Sequence, residues 1–133
     1  MSFETLHWKQ DYDTGVREID LQHRFFMDLI NRMHEELQGS TDAHYRAALF
    51  EELSNYARFH FVSEENLMFK FGYPDLDHHR MMHRRLIDEL SWRAQEKSYD
   101  AIFDFLVRWF VAHTVEEDCR IGKFLASGEP IRR

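Results

Sequence analysis

The chain has few of the devices that staple or punctuate a fold: one cysteine, two prolines and five glycines in 133 residues. A single cysteine closes no intrachain disulfide. That excludes a disulfide scaffold, fits a reducing compartment, and rules out thiolate-rich zinc and iron–sulfur sites. Positive charge is scarce as well. The 17 Lys and Arg stand against 24 Asp and Glu, a formal net charge of −7, which argues against nucleic acid as the main partner. No apolar run approaches the ~18 residues that suggest a membrane span. The stretch from Met1 to Gln10 also lacks the basic and then apolar order of an export signal. These absences lead to the expectation of a soluble, cytoplasmic chain with neither a nucleic-acid nor a membrane partner.

What is present is enough apolar material for a core and an excess of imidazole. Apolar residues make up 44% of the chain, with 12 phenylalanines among them, so a single domain over residues 1–133 can bury a core without staples. Nine histidines stand beside the one cysteine, although histidine is not normally among the common residues.

The sparse glycines and prolines fall between long segments of helical period, which predicts an all-α fold. An irregular N-terminal arm, residues 1–15, carries His7, Trp8 and Gly15. The first helix runs from Val16 to Gln38 and aligns His23, Phe26, Met27, Ile30, Met33 and Leu37 on one face, with Gly39 as its stop. Ser40, Thr41 and Asp42 offer N-caps for a second helix reaching about Phe71, with Tyr45, Leu49, Leu53, Tyr56, His60, Leu67 and Phe71 inside. Gly72 and Pro74 end it. A third helix from Asp75 to Glu96 is drawn by His79, Met82, His83, Leu86 and Leu90. The fourth, from Tyr99 to Ala126, is drawn by Ile102, Leu106, Trp109, Phe110, His113, Ile121 and Leu125. Helices of about 20 residues on short connections pack as an antiparallel up-down-up-down four-helix bundle. Residues 127–133 read as a tail or a truncated linker.

Five histidines, His23, His60, His79, His83 and His113, fall on stripes that otherwise belong to the core. Any one alone is ordinarily a half-buried imidazole bonded to a backbone carbonyl. As a set they differ, because every helix contributes at least one and the bundle brings them to a common depth, where uncompensated imidazoles are costly. His79 and His83 are four residues apart, about 40° in azimuth, so both rings can reach one ion. His60 and Glu64 repeat that spacing, although Glu64 alone would read as a surface charge. His113 and Asp118 are five apart, about 140° in a regular α-helix. They share a face only if a π-type widening intervenes, a feature that gathers at functional sites.

Five imidazoles and two carboxylates suit a metal of intermediate character such as iron, manganese or zinc. Two ions fit the count better than one: bridged by both carboxylates, they would divide the imidazoles as three and two. One metal is then a donor short, which leaves a position for a small ligand in a nearly closed apolar bundle.

These residues resemble the hemerythrin family, in particular its single-domain prokaryotic members, the bacteriohemerythrins, over essentially the whole chain. The family's Asp-x-x-His appears as Asp20 and His23. Its His-Phe-x-x-Glu-Glu appears as His60, Phe61, Glu64 and Glu65, followed by Met68 and by Tyr73 and Pro74. Its His-x-x-x-His is His79 and His83, and its His-x-x-x-x-Asp is His113 and Asp118, with Trp8 ahead of the first helix.

The resemblance implies a non-heme di-iron centre with an oxo or hydroxo bridge and reversible dioxygen binding rather than an enzymatic role. His79, His83 and His113 would hold one iron and His23 and His60 the other, with Glu64 and Asp118 bridging. Trp109, Phe110, Phe26 and Ile30 would line a dry dioxygen pocket. Relatives often carry leucine where Phe110 stands, and a thiol at Cys119, next to Asp118, would alter autoxidation if it approached the iron. His7, His34 and His44 would be surface or supporting residues, and His78 ordinary. The implied partners are dioxygen and an oxygen-using enzyme or a signalling domain, the chain itself being a monomer. A sensor domain, and less readily a di-iron oxidase or peroxidase, are the alternative roles.

Overall fold

The computed structural model describes residues 6–39, 42–93 and 99–127. Among the described residues every regular element is helical: a 3-10 turn Gln10–Tyr12, then α1 (Arg17–Gly39), α2 (Ala43–Lys70), α3 (Leu76–Arg93), α4 (Tyr99–Val111), a π-helical segment Ala112–Asp118, and α5 (Cys119–Ala126). The backbone stays in the right-handed helical region at both ends of the π segment, so α4, the π segment and α5 form one continuous fourth helix. The molecule is the all-α four-helix bundle that the periodicity predicts. α1 packs on α2 and α4, and α2 packs on α3.

The helix ends follow local chemistry, with some departures from expectation. Asp42 caps α2, its carboxylate accepting from the Tyr45 N–H at 2.8 Å. Ser40 and Thr41, the other cap candidates, lie outside the described residues, as does the predicted end of the third helix beyond Arg93. Gly72 closes α2 with φ of 70°, and the Tyr73 and Gly72 N–H groups donate to the carbonyls of Met68 and Phe69 at 2.9 and 3.2 Å. That pairing needs a left-handed residue, the reason for glycine there. Gly39 behaves otherwise: it is the last residue of α1 and takes no positive φ.

Two apolar clusters sit at different levels. The larger joins Phe26, Ile30, Met33 and Leu37 of α1 with Leu49, Leu53, Ala57 and Phe61 of α2, Leu90 of α3, and Ile102, Phe103, Leu106, Trp109 and Phe110 of α4. The smaller joins Ile19, Met68, Tyr73 and Ile121. Along α1, α2 and the fourth helix, His23, Glu64, His113 and Asp118 fall between the two sets. Of the predicted inner residues, Tyr45 is exposed, its hydroxyl on Glu36 at 2.8 Å. Tyr56, Leu67, Phe71, Met82, Leu86 and Leu125 are half-buried.

The arm is tied down at two points. The Leu6 backbone exchanges hydrogen bonds with the Asn31 amide at 2.7 and 2.8 Å. Asp20 accepts from the Thr14 N–H and hydroxyl, both at 2.8 Å, and from the Gly15 N–H at 3.2 Å. Thr14 in turn lies so close to α5 that a Cβ at Gly122 would stand 1.8 Å from its carbonyl oxygen. Glycine at 122 is therefore a packing requirement of the arm.

Candidate metal centre

The bundle brings the seven sequence-predicted donors together, all buried: His23 from α1, His60 and Glu64 from α2, His79 and His83 from α3, and His113 and Asp118 from the π segment. They resolve into two groups of donor atoms, each lying within 4.8 Å of one another: His23, His60, Glu64 and Asp118, and Glu64, His79, His83 and Asp118. The two carboxylates belong to both. His113 stands beside both shared carboxylates, its Nε2 3.2 Å from Asp118 Oδ2 and 3.8 Å from Glu64 Oε1, with its ring centroid 5.1 Å from that of His83.

The π segment makes this possible. In a regular α-helix His113 and Asp118 would diverge by about 140°. The wider i→i+5 turn of a π-helix returns them to one face, and it spans the residues from one to the other. The odd five-residue spacing is thus explained by the backbone.

Asp118 and Glu64 are closed to solvent, and the basic groups at hydrogen-bonding range of them are imidazoles: Asp118 Oδ2 lies 2.7 Å from His23 Nε2, and Glu64 Oε1 lies 3.1 Å from His83 Nε2. Burial by itself pushes the Asp118 carboxyl up and the His113 imidazole down. Their attraction wins, so that His113, His23 and His79 hold Asp118 well below the usual carboxylate range, while Asp118 and Glu64 raise His113 to about 9. Glu64 is lowered in the same way, against burial and Asp118, by His60 and His83. His60 is lowered, chiefly by burial. Two buried carboxylates therefore demand positive charge, as protons on imidazole or as cations. Several facing atoms, among them His79 Nε2, His113 Nε2, Glu64 Oε2 and both Asp118 oxygens, lie close to opposite groups without hydrogen-bond geometry. Convergent, buried nitrogen and carboxylate donors that do not satisfy one another fit metal ions.

Beyond the donors, His60 Nδ1 donates to Gln22 Oε1 at 2.7 Å and His83 Nδ1 to Glu65 Oε2 at 2.8 Å. Sequence reasoning assigned neither acceptor a role. Gln22 meets His60 across two helices, a pairing that leaves no local spacing signal, and Glu65 was visible only as the second glutamate of a motif. Phe61 stacks on His83, ring centroids 4.0 Å apart. The residues expected to wall a dry pocket are all buried. Phe110 lies edge-on to His23 and Phe26 edge-on to His60, each at 6.0 Å. Trp109 packs on Phe26 at 5.2 Å and stacks on His113 at 6.5 Å. Ile30 sits one turn beyond Phe26 in the larger core.

The other histidines divide. His7, His44 and His78 are exposed. His34 corrects the surface reading: it is buried in the larger core's layer, stacked on Phe103 with centroids 3.8 Å apart, and its polar neighbour there is the Gln38 amide at 3.4 Å. The sulfur of Cys119 points to the arm, 3.6 and 3.8 Å from the carbonyl oxygens of Asp11 and Asp13.

Comparison with known proteins agrees with this geometry. The family model described as hemerythrin HHE cation binding domain matches residues 14–125. The bacteriohemerythrin of Pseudomonas aeruginosa is 34% identical over 118 residues, 85% of this chain and 76% of that protein. That of Clostridium acetobutylicum is 31% identical over 121 residues, 84% of this chain and 94% of that protein. In fold, the chain is similar to a crystal structure of wild-type hemerythrin with a TM-score of 0.81 at 24% identity, over 92% of this chain and 99% of that one. With its donor cluster able to hold metal ions and the family model spanning most of its length, the chain belongs to the hemerythrin family.

Proposed function

We propose that the protein binds dioxygen reversibly at a non-heme di-iron centre, as a carrier, store or delivery protein. The observation that carries this reading is the pair of buried donor groups sharing Glu64 and Asp118. His79, His83 and His113 would hold one iron, His23 and His60 the other, and the two carboxylates would bridge them. When bound, the irons supply the two electrons that reversible dioxygen uptake requires. The two-imidazole side is one donor short, and Phe26 and Phe110 stand against it. With Ile30 and Trp109 they exclude water and protons, which would otherwise discharge the bound ligand irreversibly.

In this reading the protein works as a cytoplasmic monomer, passing dioxygen to an oxygen-using enzyme or reporting it to a signalling domain. An enzymatic reading, as oxidase or peroxidase, draws support from an open groove of about 410 Å³, lined by Met82, Leu86, Phe105 and Ala112 and by the charged Glu89, Arg93, Arg108 and Glu117, which reaches Trp109 and His113. Optical spectra of the reduced, iron-loaded protein exposed to air separate the two. A band that forms with air and disappears under vacuum over repeated cycles supports reversible binding, whereas consumption of an added reductant at each cycle supports turnover. One zinc and no iron per chain would overturn the di-iron reading.

A further inference from the structure

We infer that Glu65 and Gln22 are positioning residues that make the two ends of the metal cluster unequal, the three-imidazole end binding its cation more tightly than the two-imidazole end. The inference rests on the ligand set proposed above. The far ring nitrogens of His23, His79 and His113 are buried and make no hydrogen bond. His60 and His83, one from each end, are the two that donate outward. In both, the outward bond requires the proton on Nδ1 and so leaves the Nε2 lone pair free to face a cation.

The acceptors differ in charge. Behind His83 stands a carboxylate, Glu65, one-fifth exposed, with Arg80 Nε 3.5 Å from its other oxygen. Behind His60 stands a neutral amide. The Gln22 Nε2 donates to Ser63 Oγ at 2.9 Å, which aims the amide without adding charge, and the Gln22 backbone carbonyl accepts from the Tyr56 hydroxyl at 2.8 Å. A carboxylate behind an imidazole raises its basicity as a ligand, whereas an amide only orients the ring. The end with three imidazoles thus also receives the extra negative charge. The end with two remains the weaker, and that is where an external ligand finds its position.

The test is stepwise loading of the metal-free protein with Zn²⁺, which carries no redox chemistry, followed against a competing chelator. Wild type is expected to take up two ions with unequal affinity. Glu65→Gln keeps the shape and removes the charge, and it is expected to weaken the tighter step about 10- to 100-fold while leaving the other step unchanged. Gln22→Glu is expected to strengthen the weaker step. In iron-loaded protein, Glu65→Gln shifts the reduction potential upward and Gln22→Glu shifts it downward, a pair of opposite signs that a loss of packing does not produce. Far-UV circular dichroism checks that both variants fold, and Glu65→Gln carries the test alone if Gln22→Glu does not. A wild type that binds fewer than two ions overturns the ligand set. A wild type that binds two, with a Glu65→Gln variant that leaves both steps unchanged or weakens them equally, overturns the inference.

Discussion

Leu53 and Asp118 are equally closed to solvent, each at 0% exposure, yet they belong to layers with opposite energetics. Around Leu53, Leu90 and Leu106, burial is its own reward: each large apolar side chain removed from water contributes about 1.5–3 kcal/mol. Around Glu64 and Asp118, burial costs several kcal/mol per ionised group before compensation, and the layer is neutralised by imidazolium or by cations. The apolar layer is complete as folded. The polar layer is compensated only when protons or cations join its two carboxylates.

The largest expected effect breaks the polar layer alone. Asp118→Ala removes one of the two carboxylates common to both donor groups, and metal analysis should fall from two ions per chain to fewer than one. Retention of two would show that Asp118 is not a bridge. Leu53→Ala should cost about 2–5 kcal/mol in denaturant unfolding, by the same amount with and without metal. A cost that changes on loading would show that the layers are coupled. Gly122→Ala forces a methyl group into the Thr14 carbonyl and should cost about 1–3 kcal/mol. The displaced arm should report through Trp8, whose indole donates to Asp13 at 3.0 Å and lies under Arg24, as a change in fluorescence.

The smallest effect is a pH dependence confined to the metal-free polar layer. His113 is raised from 6.5 to about 9, so its pairing stabilises the fold fully below about 6.5 and fades as pH rises through about 9. Asp118 is lowered from 3.8, so the same pairing is full above about 3.8 and fades as pH falls through the depressed value. Loading with metal between these limits should release the His113 proton, measurable with an indicator dye. Metal uptake without proton release near neutral pH would contradict the assignment of His113.

Much of this was legible because helical periodicity reports burial directly. The inner faces of α1 and α4 follow it closely, and His23, His60, His79, His83 and His113 stood out because they fall on apolar stripes, whereas Glu64 and Asp118 were reached only through their spacing from a histidine. His34 shows the limit. It lies on α1 near the stripe, and only the arrival of Phe103 from α4 makes it a stacked core residue. Tyr45 errs the other way, falling on the apolar period of α2 in its first turn, where its ring stays exposed and its hydroxyl reaches Glu36 of α1. Gly39 resembles a helix stop by type, but its backbone remains helical. Gln22 and Glu65 were beyond reach as hydrogen-bond partners, since their histidines lie on other helices.

By itself, the sequence determined the helices, their apolar faces, the family and the seven donor candidates, because each is encoded in residue type and in spacings of three, four and five along one chain. The tertiary structure alone decided that the donors form two groups sharing two carboxylates, that a π segment turns Asp118 inward, and that a carboxylate backs one end and an amide the other. Those are distances between helices and the hydrogen-bonding of a backbone, which depend on how four helices meet.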